Sequence, residues 1–113
     1  MLNLDNMFRS DEKALDVAAM RNKVINQNIA NVNTPGYKRS EVKFEEYLQA
    51  AGKNISDVDA SVEKDLSIVE GRIDGNNVVI DKEMAELAKN TIRYNAMIRQ
   101  VSSKMERIKS VLR

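Results

Sequence analysis

Toward the C-terminal end of the chain, Ile80, Met84, Leu87, Thr91, Tyr94, Ile98, Val101, Met105, Ile108 and Leu112 step alternately by four and three, and all but Thr91 are apolar. A heptad stripe sustained this long, with no proline in it, leaves little choice but one long helix. The spacing predicts that helix over 81–112. Asp81 suits its cap, Glu83 and Glu86 suit the positive end of the helix dipole, and Lys104, Arg107, Lys109 and Arg113 suit the negative end. At ~1.5 Å per residue the helix is roughly 48 Å long. A globule of 113 residues has a radius of gyration of about 13 Å, hence a diameter of roughly 35 Å. The helix outruns such a body. Either it bends, or the molecule is elongated and covers its stripe with neighbours.

The N-terminal segment keeps the same alternation through Leu4, Phe8, Asp11, Leu15, Ala18, Asn22, Ile25, Ile29 and Val32. Ser10 or Asp11 suits a cap if the helix proper starts there. A second apolar set, Val17, Met20 and Val24, lies almost opposite the first on a helical wheel. A helix apolar on two faces is buried on two sides, and one antiparallel partner covers only one of them. Periodicity alone fits a helical hairpin or a coiled-coil dimer. The two-faced helix, with Ala85, Ala88 and Ala96 permitting close approach on the other, favours a multi-helix array.

Between the helices the chain reads Asn28-Ile29-Ala30-Asn31-Val32-Asn33-Thr34-Pro35-Gly36-Tyr37-Lys38-Arg39. Pro35 disfavours helical geometry at Thr34, so the first helix stops near Asn33. Pro35 followed by Gly36 is the pattern of a type II turn, in which the glycine takes a positive φ. Asn31 and Asn33 suit helix fraying and C-capping. Asn22, on the seam, suits a buried amide that sets helix register. Lys38, Arg39 and Lys43 fit a solvated face or intersubunit contacts better than phosphate binding. Val42, Phe44, Tyr47 and Leu48 suggest a short amphipathic helix, and residues 50–77 read as loop. Residues 66–69 and 78–80 suggest short strands paired across Asp74-Gly75-Asn76-Asn77. The expected fold is therefore mainly α: long terminal helices in an elongated hairpin or coiled-coil-like unit, with a short irregular middle that has room for a small β-hairpin. The expected division is an N-terminal helix over 1–33, the turn and connecting region over 34–80, and a C-terminal helix over 81–113.

Composition narrows function by exclusion. With no His and no Cys, zinc, thiol and imidazole chemistry lack their side chains. No phosphate loop, zinc-binding helix or nucleophile elbow occurs. The expectation is no enzyme, no cofactor, no metal and no small-molecule substrate. Eighteen basic against seventeen acidic residues leave a formal net charge of +1, which argues against nucleic acid or an anionic membrane as partner. The first twenty residues are too charged for a cleavable signal segment, and no stretch is apolar enough to span a bilayer.

The motif over 28–39 resembles the N-terminal signature of the bacterial flagellar axial proteins, the family of rod, hook and junction subunits. Asp74-Gly75-Asn76-Asn77-Val78-Val79-Ile80-Asp81-Lys82-Glu83-Met84-Ala85-Glu86-Leu87-Ala88, with Tyr94-Asn95-Ala96 beyond it, is similar to the proximal-rod members of that family. Val79 departs from their pattern, which carries an acidic residue there. The resemblance implies a structural subunit of the proximal rod of the flagellar basal body, exported without a cleavable signal through the flagellar type III apparatus. It implies self-assembly through the terminal helices into the axial drive shaft. The implied partners are other copies of the chain, other rod subunits, basal-body ring and rod-adaptor proteins and the export apparatus. Asn28, Ala30, Asn31, Thr34, Pro35, Gly36, Tyr37, Met84, Leu87, Tyr94, Ile98 and Val101 are the implied motif and assembly residues. A soluble coiled-coil adaptor or regulator is the alternative.

Overall fold

The computed structural model describes residues 4–45 and 58–112, with side chains from Phe8 onward. Helix α1 (Leu4–Ala30) is followed by the turn, then strand β1 (Ser40–Lys43), strand β2 (Ser61–Lys64) and helix α2 (Ile80–Val111). The helices lie antiparallel. Asn28 meets Glu83 at one end, Ala18 meets Asn90 midway, and Asp11 meets Lys104 toward the other. The molecule measures 63 × 27 × 15 Å with a radius of gyration of 17.8 Å, so it is elongated, as the length of α2 requires. Among the described residues no helix is long and apolar enough to cross a membrane.

The second apolar face of α1 is covered from within the chain and not by a neighbouring helix. Val17, Met20 and Val24 pack against Val42, Phe44, Val58 and Ala60. Val42 lies in β1, so the short helix expected over 42–48 does not begin at Val42. Ser40, Val42 and Phe44 point inward and Glu41 and Lys43 are half-exposed, which is the period of a strand with one buried face. Tyr47 and Leu48 lie outside the described residues. β1 and β2 pair antiparallel, Ser40 opposite Lys64 and Lys43 opposite Ser61. The small β-pair is real, but it joins these segments and not residues 66–69 with 78–80. Residues 76–79 are instead held by side-chain amides, described below.

Both helix starts also differ from expectation. α1 is already helical at Leu4, ahead of Ser10 and Asp11. α2 is preceded by Val79 as an extended N-cap with no side-chain cap bond, and Asp81 sits in the first turn. Valine at the cap position has no acceptor to offer. The Val79 carbonyl accepts the Glu83 N–H at 3.0 Å and starts the helical ladder.

The seam of α2 differs in an informative way. The side turned to α1 carries Glu83, Leu87, Asn90, Met97, Val101, Lys104 and Ile108 as its buried or half-buried residues. Leu87, Val101 and Ile108 belong to the expected stripe, but Met84, Thr91, Ile98 and Met105 are replaced in the contact by the residues one position earlier. Met84 (53% exposed), Ile98 (41%) and Met105 (58%) are left open. Asn22, expected on the seam, is exposed.

Phe44, 4% exposed, closes the α1–sheet core. Phe44→Ala should cost about 3–5 kcal/mol, read as a lowered urea midpoint of the full chain, while Val62→Ala on the exposed side of β2 should leave it within experimental error.

Candidate assembly site

The turn after α1 is the one expected. Gly36 has φ +73°, and the Tyr37 N–H donates to the Thr34 carbonyl at 3.2 Å. A Cβ added at Gly36 would meet nothing within 4 Å, so only the backbone conformation requires glycine there. Asn31 acts as a local cap: its amide donates to the Gln27 carbonyl at 2.8 Å and accepts from the Thr34 hydroxyl at 3.1 Å.

The turn delivers the chain into a polar clasp with residues 74–78. The Gly36 N–H donates to the Asp74 carbonyl at 2.7 Å, and Lys38 donates to the Gly75 carbonyl at 2.5 Å. The Asn76 amide donates to the Asn31 and Thr34 carbonyls at 2.8 and 2.9 Å and accepts the Val78 N–H at 2.7 Å. Asn77 accepts the Arg39 N–H at 2.6 Å and donates to the Asp65 and Ser67 carbonyls. Arg72 donates to the Val32 carbonyl at 2.9 Å and pairs with Asp74. Two segments some forty residues apart thus satisfy one another's backbone groups.

At the centre lies Asn28, with no exposed surface. Its amide donates to the Ser40 carbonyl (2.8 Å) and to Glu83 (3.2 Å), and accepts the Ser40 N–H (2.9 Å) and the Tyr37 hydroxyl (3.1 Å). Both donors and both lone pairs are used. Glu83, 1% exposed, receives the Arg39 guanidinium at 2.6 Å on its other oxygen, and Arg39 also reaches Asp65 and Glu41 at 3.1 and 3.2 Å. Burial works against the Arg39 charge, but the Glu83 hydrogen bond and charge, with Asp65 and Glu41, outweigh it and raise its pKa. Asp65 is held below its ordinary value first by the Ser67 N–H and hydroxyl and then by Arg39, against its partial burial. Among the described residues every buried side-chain polar atom has a partner.

The clasp therefore gathers Asn28, Asn31, Thr34, Gly36 and Tyr37 from the expected set, with Pro35 exposed on the turn and Ala30 exposed at the end of α1. Met84, Leu87, Tyr94, Ile98 and Val101 run away from it along α2. The basic cluster is not a solvated face: Arg39 is the hub, Lys38 holds Gly75, and Lys43 pairs with Glu41 at 3.0 Å. Arg39, Glu83, Asn76, Asn77 and Arg72 carry roles that the sequence did not assign. An acidic residue in the first turn of a helix ordinarily faces solvent, and nothing local marks Glu83 as the exception.

Arg39→Ala would leave the Glu83 carboxylate buried with only Asn28, at a cost of about 3–5 kcal/mol in chemical denaturation. Asp65 and Glu45 are both depressed, Glu45 chiefly by its bond to Arg21. Their stabilisation is therefore present above the ordinary carboxylate values and lost as pH falls through the folded ones. Unfolding free energy should be flat above about pH 5 and decline below about pH 4, less steeply in Asp65→Asn. Gly36→Val should destabilise by about 1–3 kcal/mol and Gly36→Asn by clearly less, since asparagine tolerates a positive φ; equal melting temperatures would refute the strained-turn account.

Comparison with known proteins agrees with this geometry. The family described as "Flagella basal body rod protein" matches residues 8–38, from α1 through the turn. The flagellar basal body rod protein FlgB of Bacillus subtilis (strain 168) is 39% identical over 114 residues, covering 89% of this chain and 88% of the relative. FlgB of Borrelia hermsii is 40% identical over 105 residues, covering 72% and 76%. FlgB of Escherichia coli (strain K12) is 25% identical over 130 residues, covering 96% and 94%. With both signature segments clasped together and similarity running nearly end to end, the chain belongs to the FlgB family of flagellar basal body rod proteins.

Proposed function

We propose that the chain is a structural subunit of the proximal rod of the flagellar basal body, and that it assembles through the apolar face α2 leaves open. The observation that carries the reading is the row Met84, Ile98 and Met105, exposed along a helix of 32 residues in a body 63 Å long. An apolar stripe of that length on a monomer marks a contact surface. As a member of a rod family the chain acts with other rod and basal-body components. Other copies of the chain, other rod subunits, ring and rod-adaptor proteins and the type III export apparatus are the proposed partners. The clasp makes the angle between turn and helices the same in every copy, which a repeating structure requires. The adaptor alternative finds no support in the three relatives compared above, each named as a basal body rod protein.

Ile98→Asp tests the reading more cleanly than Leu87→Asp, because Leu87 also packs inside the monomer. A carboxylate buried without a partner costs several kcal/mol, repeated at each contact. Ile98→Asp should be made at normal levels, keep its helix content and abolish motility in a strain lacking the native chain, while the exposed Lys89→Asp should swim. Full motility of Ile98→Asp would sink the proposal.

A further inference from the structure

We propose that Asp74–Gly75 is a self-modification site: in the unfolded chain it converts to isoaspartate, and in the folded chain the clasp holds it shut. The inference goes beyond the rod reading and does not depend on it.

The chemistry starts in the sequence. Asp74 is the one Asp or Asn of this chain that is followed by glycine. Glycine has no side chain to screen its own amide nitrogen, so the Gly75 nitrogen can reach the carboxyl carbon of Asp74. In the protonated acid that nitrogen attacks Cγ, a C–N bond forms, and the acid hydroxyl leaves as water with the amide proton. The product is a succinimide ring. Solvent water then adds to one of its carbonyl carbons. Opening at the side-chain carbonyl returns aspartate. Opening at the main-chain carbonyl leaves the chain running through Cβ and Cγ, with the former main-chain carbonyl as a free carboxylate. Water is lost and regained, so the net change is an isomerisation that needs no oxidant or cofactor.

In the folded chain both residues are exposed, so exclusion of water is not what protects them. Bonding is. The Arg72 guanidinium grips the carboxylate as a fork, Nε on one oxygen at 3.2 Å and Nη2 on the other at 3.1 Å, and the Asn76 N–H adds a bond at 3.2 Å. These bonds, Arg72 first, hold the Asp74 carboxyl below its ordinary value, whereas the attack consumes the protonated acid. Attack also turns Cγ tetrahedral and expels one of the gripped oxygens, so the planar fork must open first. Arg72 is itself tied to the Val32 carbonyl just beyond α1, at 2.9 Å. The peptide is fixed on either side as well: the Asp74 carbonyl accepts the Gly36 N–H at 2.7 Å, and the Gly75 carbonyl accepts Lys38 at 2.5 Å.

An isomerised chain no longer fits. Its backbone gains a methylene beside Gly75 (φ +79°), where an added Cβ would already lie 3.7 Å from the Gly36 Cα. The carbonyl that accepts the Gly36 N–H becomes a carboxylate on a branch, and the carboxylate that Arg72 grips becomes a peptide carbonyl. Isoaspartate made before folding therefore marks a chain whose clasp stays open.

Fragmentation mass spectrometry of the peptide holding residue 74 reads the conversion. On storage at neutral pH, isoaspartate should build up several-fold faster in the full chain unfolded in guanidinium chloride than in the native chain. That comparison uses the unaltered sequence, so no variant has to fold. Gly75→Ala should suppress the conversion in guanidinium chloride. In native buffer Arg72→Ala, at unchanged helix content, should isomerise several-fold faster than the unaltered chain. Arg72→Lys, which keeps the charge without the fork, should fall between the two and serves if Arg72→Ala loses helix. Isomerised chains, separated by chromatography and returned to buffer, should show a lowered urea midpoint. No isoaspartate at residue 74 in the unfolded chain overturns the site. Equal rates in native and unfolded chains, folded Arg72 variants no faster than the unaltered chain, or equal midpoints for isomerised and unmodified chains overturn the part given to the clasp.

Discussion

A carboxylate and an amide buried side by side hold this molecule in shape. Glu83 stands at the start of α2 with almost no contact with water, and Asn28 stands near the end of α1 with none. A buried carboxylate is costly unless it is paired and hydrogen-bonded, and here Arg39 and Asn28 supply both. Because Asn28 also bonds both backbone groups of Ser40, the end of α1, the start of β1 and the start of α2 are fixed at a single point. The turn can leave α1 in only one direction that satisfies all of them.

Packing then follows from that point. Once β1 is placed by Asn28, Val42 and Phe44 fall over Val17, Met20 and Val24, and β2 pairs along the outside. Once Glu83 is placed, α2 lies along α1 with its polar row inward. The consequence is an uneven molecule: one end is knitted by side-chain amides, while the far part of α2 keeps apolar residues in water. For an isolated domain this would be poor economy. For a subunit of a rod it separates folding from assembly, since groups that satisfy one another inside the chain are spent and apolar groups remain for contact.

The two signature segments are explained by the same geometry. Residues 28–39 and 74–88 look unrelated in the chain, yet Gly36 meets Asp74, Asn76 meets Asn31 and Thr34, and Arg39 meets Asn77 and Glu83. They are two halves of one structural unit. Val79 fits here too, because an N-cap without an acceptor leaves the first turn of α2 to be anchored by Glu83 through its side chain.

What the sequence determined by itself is what local chemistry and regular spacing can determine. A sustained heptad without proline makes α2, Pro35 and Gly36 make the turn, and the absence of His and Cys removes whole classes of chemistry. These need no knowledge of neighbours. The tertiary structure decided which face of α2 meets α1, that Val42 lies in a strand with Phe44 just beyond its end, and that Glu83, Asn76, Asn77 and Arg39 form a clasp. Each of those depends on groups far apart in the chain satisfying one another. The register was the least legible, because the more apolar seam is the one α1 does not use. Periodicity weighs apolar positions alone, whereas the fold is settled by where a few buried polar groups find their partners.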